Sequence, residues 1–185
     1  DWRDAGNPGW GWSDVEPVFR GFERVVGRDG GDRGDGPLHV SHREAEYHPL
    51  RRHFYAAASE LGIATGGDPN DPQYEGVCAY PITTRRGLRC SASDAFLRPA
   101  MARRNLELRT GAHVLRILFE GKRATGVEYQ RGDRVERVAA AGEILLAAGA
   151  VNSPQLLQLS GIGPAALLRR HGIAVVHGND AVGGG

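Results

Sequence analysis

The stretch GEILLAAGAVNSPQLLQLSGIG, Gly142 to Gly163, decides how this chain is read. It opens on an apolar run, Ile144 to Ala147, short enough for one strand, and breaks at Gly149 through Ala150 to Asn152. A helix start follows. Ser153 can accept a bond from an otherwise unpaired helical N–H, and Pro154 suits the first helical position, where no N–H is required. Strand, tight turn and helix in succession are the unit of an open α/β sheet. In such sheets ligands sit beyond the carboxyl ends of strands, and small residues at the turn admit a bound molecule close to the backbone. The corner Ala147, Ala148, Gly149, Ala150 is therefore a candidate cofactor wall.

Downstream, Gly161, Gly163 and Ala166 form a GxGxxA pattern. A dinucleotide fingerprint must follow a strand and open a helix. Here the preceding QLLQLS is helical by its capped start, so the glycines read as a break between two helices, the second reaching about His171. Upstream, Val114 to Phe119, Thr125 to Gln130 and Arg134 to Val138 alternate around EGKR and RGD turns and read as a β-meander. Leu106 to Leu108 reads as a brief buried strand, and Ser91 with Asp94 starts a helix into Ala102. Val77 to Thr83 reads as a strand before a turn at Arg85, Arg86, Gly87, and residues 64 to 75 as a surface loop.

Nearer the start, a helix over Pro49 to Leu61 would turn Leu50, Phe54, Ala57 and Leu61 inward. Leu38 to Val40 reads as a strand and Gly27 to Pro37 as a loop. A capping box, Ser13 to Glu16, opens a helix to about Val26 with Val15, Val18, Phe19 and Phe22 on one stripe. Trp2, Trp10 and Trp12 read as plugs of a core or of a cover over a cleft.

Composition narrows the function classes. With 41% apolar and 24% charged residues the chain is an ordinary globular sequence. Its net charge of +1 gives no electrostatic reason to expect nucleic acid or an anionic membrane as partner. No apolar run approaches the roughly 20 residues of a membrane span, and with no signal peptide in view a cytoplasmic location is the expectation. Cys78 and Cys90 read as two free, half-buried thiols, with a single bridge across a hairpin as the alternative. His39 and His42 would alternate to opposite faces of a strand, and His48 and His53 diverge on a helix, so no metal site is expected. No GxSxG nucleophile elbow occurs, and Ser91 and Ser93 are explained by capping.

The run Gly149, Ala150, Ser153, Pro154, Leu156, Leu157, Ser160, Gly161, Ile162, Gly163 resembles a signature of the glucose-methanol-choline oxidoreductases, FAD-dependent alcohol oxidases and dehydrogenases. NPGWGWSDVEPVFRGFE (Asn7 to Glu23), GPLHVS (Gly36 to Ser41), SASDAFLRPAMARRNLELRTGAHVLRILFEGKRATGVEY (Ser91 to Tyr129) and HGIAVV (His171 to Val176) resemble choline-dehydrogenase-type members, in family order.

The resemblance implies a mixed α/β fold, a partial FAD-binding Rossmann-like domain with an inserted β-meander plus part of a substrate domain. Residues 1–36 would be a helical lid segment linking the domains, 37–104 a partial substrate domain and 105–185 a partial FAD domain. It implies FAD as cofactor and a small-molecule alcohol, choline-like or another primary alcohol, as substrate, oxidised at C–OH by hydride transfer to flavin. Val114 would lie against the adenine through its main chain, although a valine opening a strand is also an ordinary core residue. Ala148 and Gly149 would let the backbone approach the nucleotide; a tight turn that excludes large side chains explains them equally.

In this family the pyrophosphate cradle lies N-terminal and the catalytic histidine C-terminal to the matching region. The expectation is therefore an interior fragment with no catalytic residue of its own, a histidine being expected downstream of Gly185, and with weak FAD binding at most when isolated. A non-catalytic relic or interaction module derived from such an enzyme is the alternative, and a flavin monooxygenase would share the meander but lack the SPQLL to SGIG run.

Overall fold

A Gly-Trp-Ser-Asp start, followed by apolar residues at helical spacing, folds as helix α1, Trp12–Phe22. The computed structural model describes residues 2–28, 31–71 and 73–184. Its contacts divide the chain into two units, Asp1–Glu107 and Leu108–Gly185. The cap of α1 sits two residues before the expected one: the Gly11 N–H donates to Asp14 Oδ2 at 3.0 Å. Glu16 pairs instead with Arg20 one turn on, at 2.6 Å. The helix stops at Phe22 rather than Val26, because the β-branched Val25 and Val26 enter strand β1, Glu23–Arg28.

Strand β1 pairs antiparallel with β2, Gly31–Arg33, and parallel with β3, Leu38–Ser41, in the register Glu23 to Leu38. The segment expected to be a loop thus supplies a hairpin arm. A backbone ladder asks for no buried side chain, so a Gly- and Asp-rich sequence does not forbid it. Asp29 and Gly30 lie outside the described residues.

Helix α2, Arg51–Glu60, forms where the period predicts, but a different face packs. Ala58 is buried, whereas Phe54 is 67% exposed and Leu50 and Leu61 are exposed as well. The spacing was helical, yet burial needs a facing surface, and the described residues supply none. The tryptophans differ from expectation in the same way: Trp2, Trp10 and Trp12 are all exposed, with Trp2 and Trp10 in edge contact. The segment 77–83 makes two isolated bridges, Val77 with Thr65 and Ile82 with Ser41, instead of a strand. Pro81 has no N–H to continue a ladder there.

The hairpin β4, Thr84–Arg85, and β5, Leu88–Arg89, turns at Arg86–Gly87 as expected. Ser91 and Asp94 cap each other reciprocally, the Ser91 N–H donating to Asp94 Oδ2 at 3.3 Å and the Asp94 N–H to Ser91 Oγ at 3.2 Å. They open a helical segment, widened over Ser93–Leu97, that ends in α3, Arg98–Ala100. Cys78 is half-buried and Cys90 buried, both free thiols. Leu106 and Leu108 form no strand and are exposed, since no described segment pairs with them.

In the second unit the alternating pattern folds as the expected meander, β6 (Ala112–Glu120), β7 (Arg123–Arg131) and β8 (Arg134–Ala139), in that order. Helices α4, Gly149–Leu159, and α5, Ala165–Arg170, follow. Between and after them, β9 (Ile162–Gly163) pairs in parallel with β10 (His177–Gly178). The core of this unit gathers Ile117, Tyr129 and Leu168. Residues 144–147 form no strand; Leu145 is 87% exposed and no described segment offers a ladder to it. No helix of the described residues is long and apolar enough to cross a membrane.

Candidate functional site

Three local devices build the corner at residues 147–150. Gly149 takes φ +87°, a left-handed conformation that only glycine adopts without cost. Ser153 accepts a hydrogen bond from the Ala148 N–H at 3.1 Å. It therefore ties down the corner from inside α4, whose first turn begins upstream of it rather than at Pro154 as expected. The correction has a backbone cause: positive φ at Gly149 swings the chain directly from the corner into the helix. Pro154, now inside α4, forgoes a bond to Ala150, and the helix continues past it.

The front of this corner is open. A Cβ added at Gly149 would meet no atom within 4 Å. Gly149 is exposed and Ala148 half-buried. Conformation, not crowding, therefore demands the glycine. Beside it an open groove of about 750 Å³ runs along α4, lined by Ala150, Val151, Pro154 and Gln158 and closed by residues 181–184. Gln158 donates to the Val182 carbonyl at 2.9 Å and holds that segment against the helix.

Gly161 behaves differently from Gly149. Its φ is +92°, and an added Cβ would lie 2.4 Å from the Ala174 carbonyl oxygen. This glycine serves a close chain crossing, which agrees with the break between helices expected there and leaves no room for a phosphate.

Val114 lies in β6, opposite Tyr129 on β7. The ladder shifts between Val114 and Arg116, so Leu115 is an extra, bulged residue. Bulges re-aim backbone groups and recur beside binding sites. Tyr129 is buried; its hydroxyl donates to Glu136 Oε2 at 2.7 Å and accepts from Arg109. One ladder step on, Glu128 sits between its two cross-strand partners, taking Arg116 Nε at 2.8 Å and Arg137 Nη2 at 2.7 Å. Hydrogen bonds from Arg116 and then Arg137 hold its carboxyl below the ordinary carboxylate range. The meander is thus locked on either side of the bulge.

Meander and helix are fastened by one side chain. Ser160, at the C-terminal end of α4, is buried, and its hydroxyl accepts from the Ile117 N–H at 2.8 Å. The bond fixes the far end of the helix to β6. Ala148 and Gly149 lie at the opposite end, about 16 Å away along the axis at 1.5 Å per residue.

The GMC oxidoreductase family model matches residues 1–183. The chain is a member of the GMC oxidoreductase family. An uncharacterised GMC-type oxidoreductase of Mycobacterium tuberculosis is 44% identical over 188 residues, covering 99% of this chain and 35% of that protein. The oxygen-dependent choline dehydrogenase of Rhizobium meliloti is 44% identical over 183 residues, covering 98% of this chain and 33% of its own. Among solved structures, an FAD-dependent oxidoreductase from Chaetomium thermophilum superposes with a TM-score of 0.83 at 34% identity, over 97% of this chain and 34% of that one. The chain therefore spans about a third of the length of these relatives.

The N-terminal domain of GMC oxidoreductases binds FAD, and the mixed helix and strand fold is that of its solved members. Whether the GMC residues present here fit that cofactor is tested by the open face at Gly149. Bare backbone with free space in front of it suits a flat nucleoside, whereas the filled space at Gly161 does not suit a pyrophosphate. Sequence reasoning missed the Leu115 bulge, Tyr129, Ser160 and Gln158. All four stood in quoted stretches, but none carries a local signal of its long-range partner. Among the described residues no cluster of His, Cys, Asp or Glu could hold a metal ion.

Proposed function

We propose that this chain forms the nucleotide-side wall of an FAD-dependent enzyme that oxidises the C–OH group of a small alcohol, choline-like or another primary alcohol. The observation that carries the reading is the open, small-residue corner at Ala148–Gly149 in a chain that belongs to the GMC family. FAD, when bound, supplies the hydride acceptor for that oxidation. The part of this chain is to bind and orient. The main chain at Val114, next to the bulge, would offer hydrogen-bonding groups to the adenine edge. The backbone at Ala148 and Gly149 would lie against the nucleotide, with Ser153 keeping the corner rigid. No residue of the chain is assigned a proton-transfer role, and residues 37–104 would contribute part of the substrate domain, with 1–36 as the helical lid segment linking the domains.

The test replaces the matching third of the Rhizobium meliloti choline dehydrogenase with this chain. The chimera is expected to keep FAD through gel filtration and to be bleached anaerobically by choline or another primary alcohol. A folded chimera that carries no flavin contradicts the nucleotide-wall reading, and one whose flavin no primary alcohol reduces contradicts the substrate class.

A further inference from the structure

The first unit carries a second hollow, of about 660 Å³, around the β4–β5 hairpin. Its wall holds Arg85, Arg86, Arg89 and Arg98 with a single acidic residue, Asp94, and the buried Cys90 at its floor. Asp94 is already committed: it bonds Ser91 and pairs with Arg98 at 3.0 Å. The side chains of Arg85, Arg86 and Arg89 make no hydrogen bond or ion pair with any described residue. Residues 85–98 thus carry four arginines against one carboxylate in a chain whose net charge is only +1.

The hairpin backbone that carries Arg85, Arg86 and Arg89 is fixed in place. The Ser41 hydroxyl donates to the Thr84 carbonyl at 3.1 Å, and the Cys90 N–H donates to the Thr83 carbonyl at 2.9 Å, pinning both ends of the hairpin. The turn between them places Arg86 at φ +53°, the one non-glycine residue in the left-handed region among those described. Glycine would fit that position without strain. The guanidinium is kept where the backbone disfavours it. Planar guanidinium forks match phosphoryl oxygens in pairs, and the volume lies within the range of small-molecule sites.

We propose that the hollow formed by Arg85, Arg86, Arg89 and Arg98 binds a small, soluble anion bearing a phosphoryl group. The proposal stands apart from the flavin reading and does not depend on it.

Inorganic pyrophosphate is the probe, titrated calorimetrically into the chain at low ionic strength, with chloride at matched ionic strength as the control. Saturable binding that weakens steeply with added salt is expected. The Arg85→Ala/Arg89→Ala variant, altered only at exposed side chains, should bind about tenfold more weakly or less. Arg86→Gly should raise the Tm while weakening the binding, a combination that general damage to the fold does not produce. Absence of binding at millimolar pyrophosphate, or equal binding by all three proteins, overturns the proposal. Binding to phosphatidic acid vesicles without binding of soluble pyrophosphate overturns it as well.

Discussion

Gly149 and Gly161 share a left-handed backbone and differ in what faces them, which separates two uses of the same residue type. At Gly149 the cost of a side chain is conformational alone, about 1–2 kcal/mol. At Gly161 the same cost is joined by a collision with the Ala174 carbonyl oxygen at 2.4 Å. Gly161→Ala is therefore expected to shift urea unfolding of the chain to clearly lower concentration than Gly149→Ala does. Equal midpoints for the two variants would show that crowding at Gly161 is relieved by a small backbone shift. Ser153 and Ser160 make a similar pair. Ser153 lies within α4 and Ser160 caps its end, but Ser153 restrains the corner locally, whereas Ser160 reaches 43 residues back to Ile117.

Among the elements, the meander is held by cross-strand charge as well as by its apolar face. Arg116, Glu128 and Arg137 stand directly opposite one another on β6, β7 and β8. The depressed Glu128 carboxyl sets the sign of the pH effect. A carboxylate whose folded pKa lies below its unfolded value stabilises the fold fully above the unfolded value, about 4.3 for glutamate, and less as pH falls through the folded one. Thermal melts followed by circular dichroism should show the Tm falling as pH is lowered from 6 toward 3 (roughly the span of carboxylate titration), and Glu128→Gln should have a lower Tm at pH 6 and a flatter profile. A variant profile parallel to that of the parent would contradict the role of the ladder.

The meander was legible because its alternation and its turns are local. The segments 106–108 and 144–147 were read as strands from composition, and the error has one cause: a strand exists only with a neighbour, and the neighbour is not encoded in the segment. For the same reason α2 was placed correctly but its buried face was not, and β2 was missed in a stretch whose only merit is a pairable backbone.

At the scale of the whole molecule, two units carry two different surfaces, an open small-residue corner in the second and an arginine-lined hollow in the first. The corner was legible in sequence because glycine and alanine at a turn have a direct steric meaning. The bulge beside Val114 and the Ser160 clasp were not, since both arise from contacts between distant residues. Large apolar side chains such as Trp2, Phe54, Leu61 and Leu145 are exposed, and the chain spans about a third of the length of its relatives. The most direct measurement is a backbone amide chemical-shift titration of the chain with adenosine, which carries the base without the phosphates that the arginine hollow would attract. Perturbations gathered at Val114 and at Ala148–Gly149 are predicted. An unmoved corner, with shifts elsewhere or none, would contradict the account.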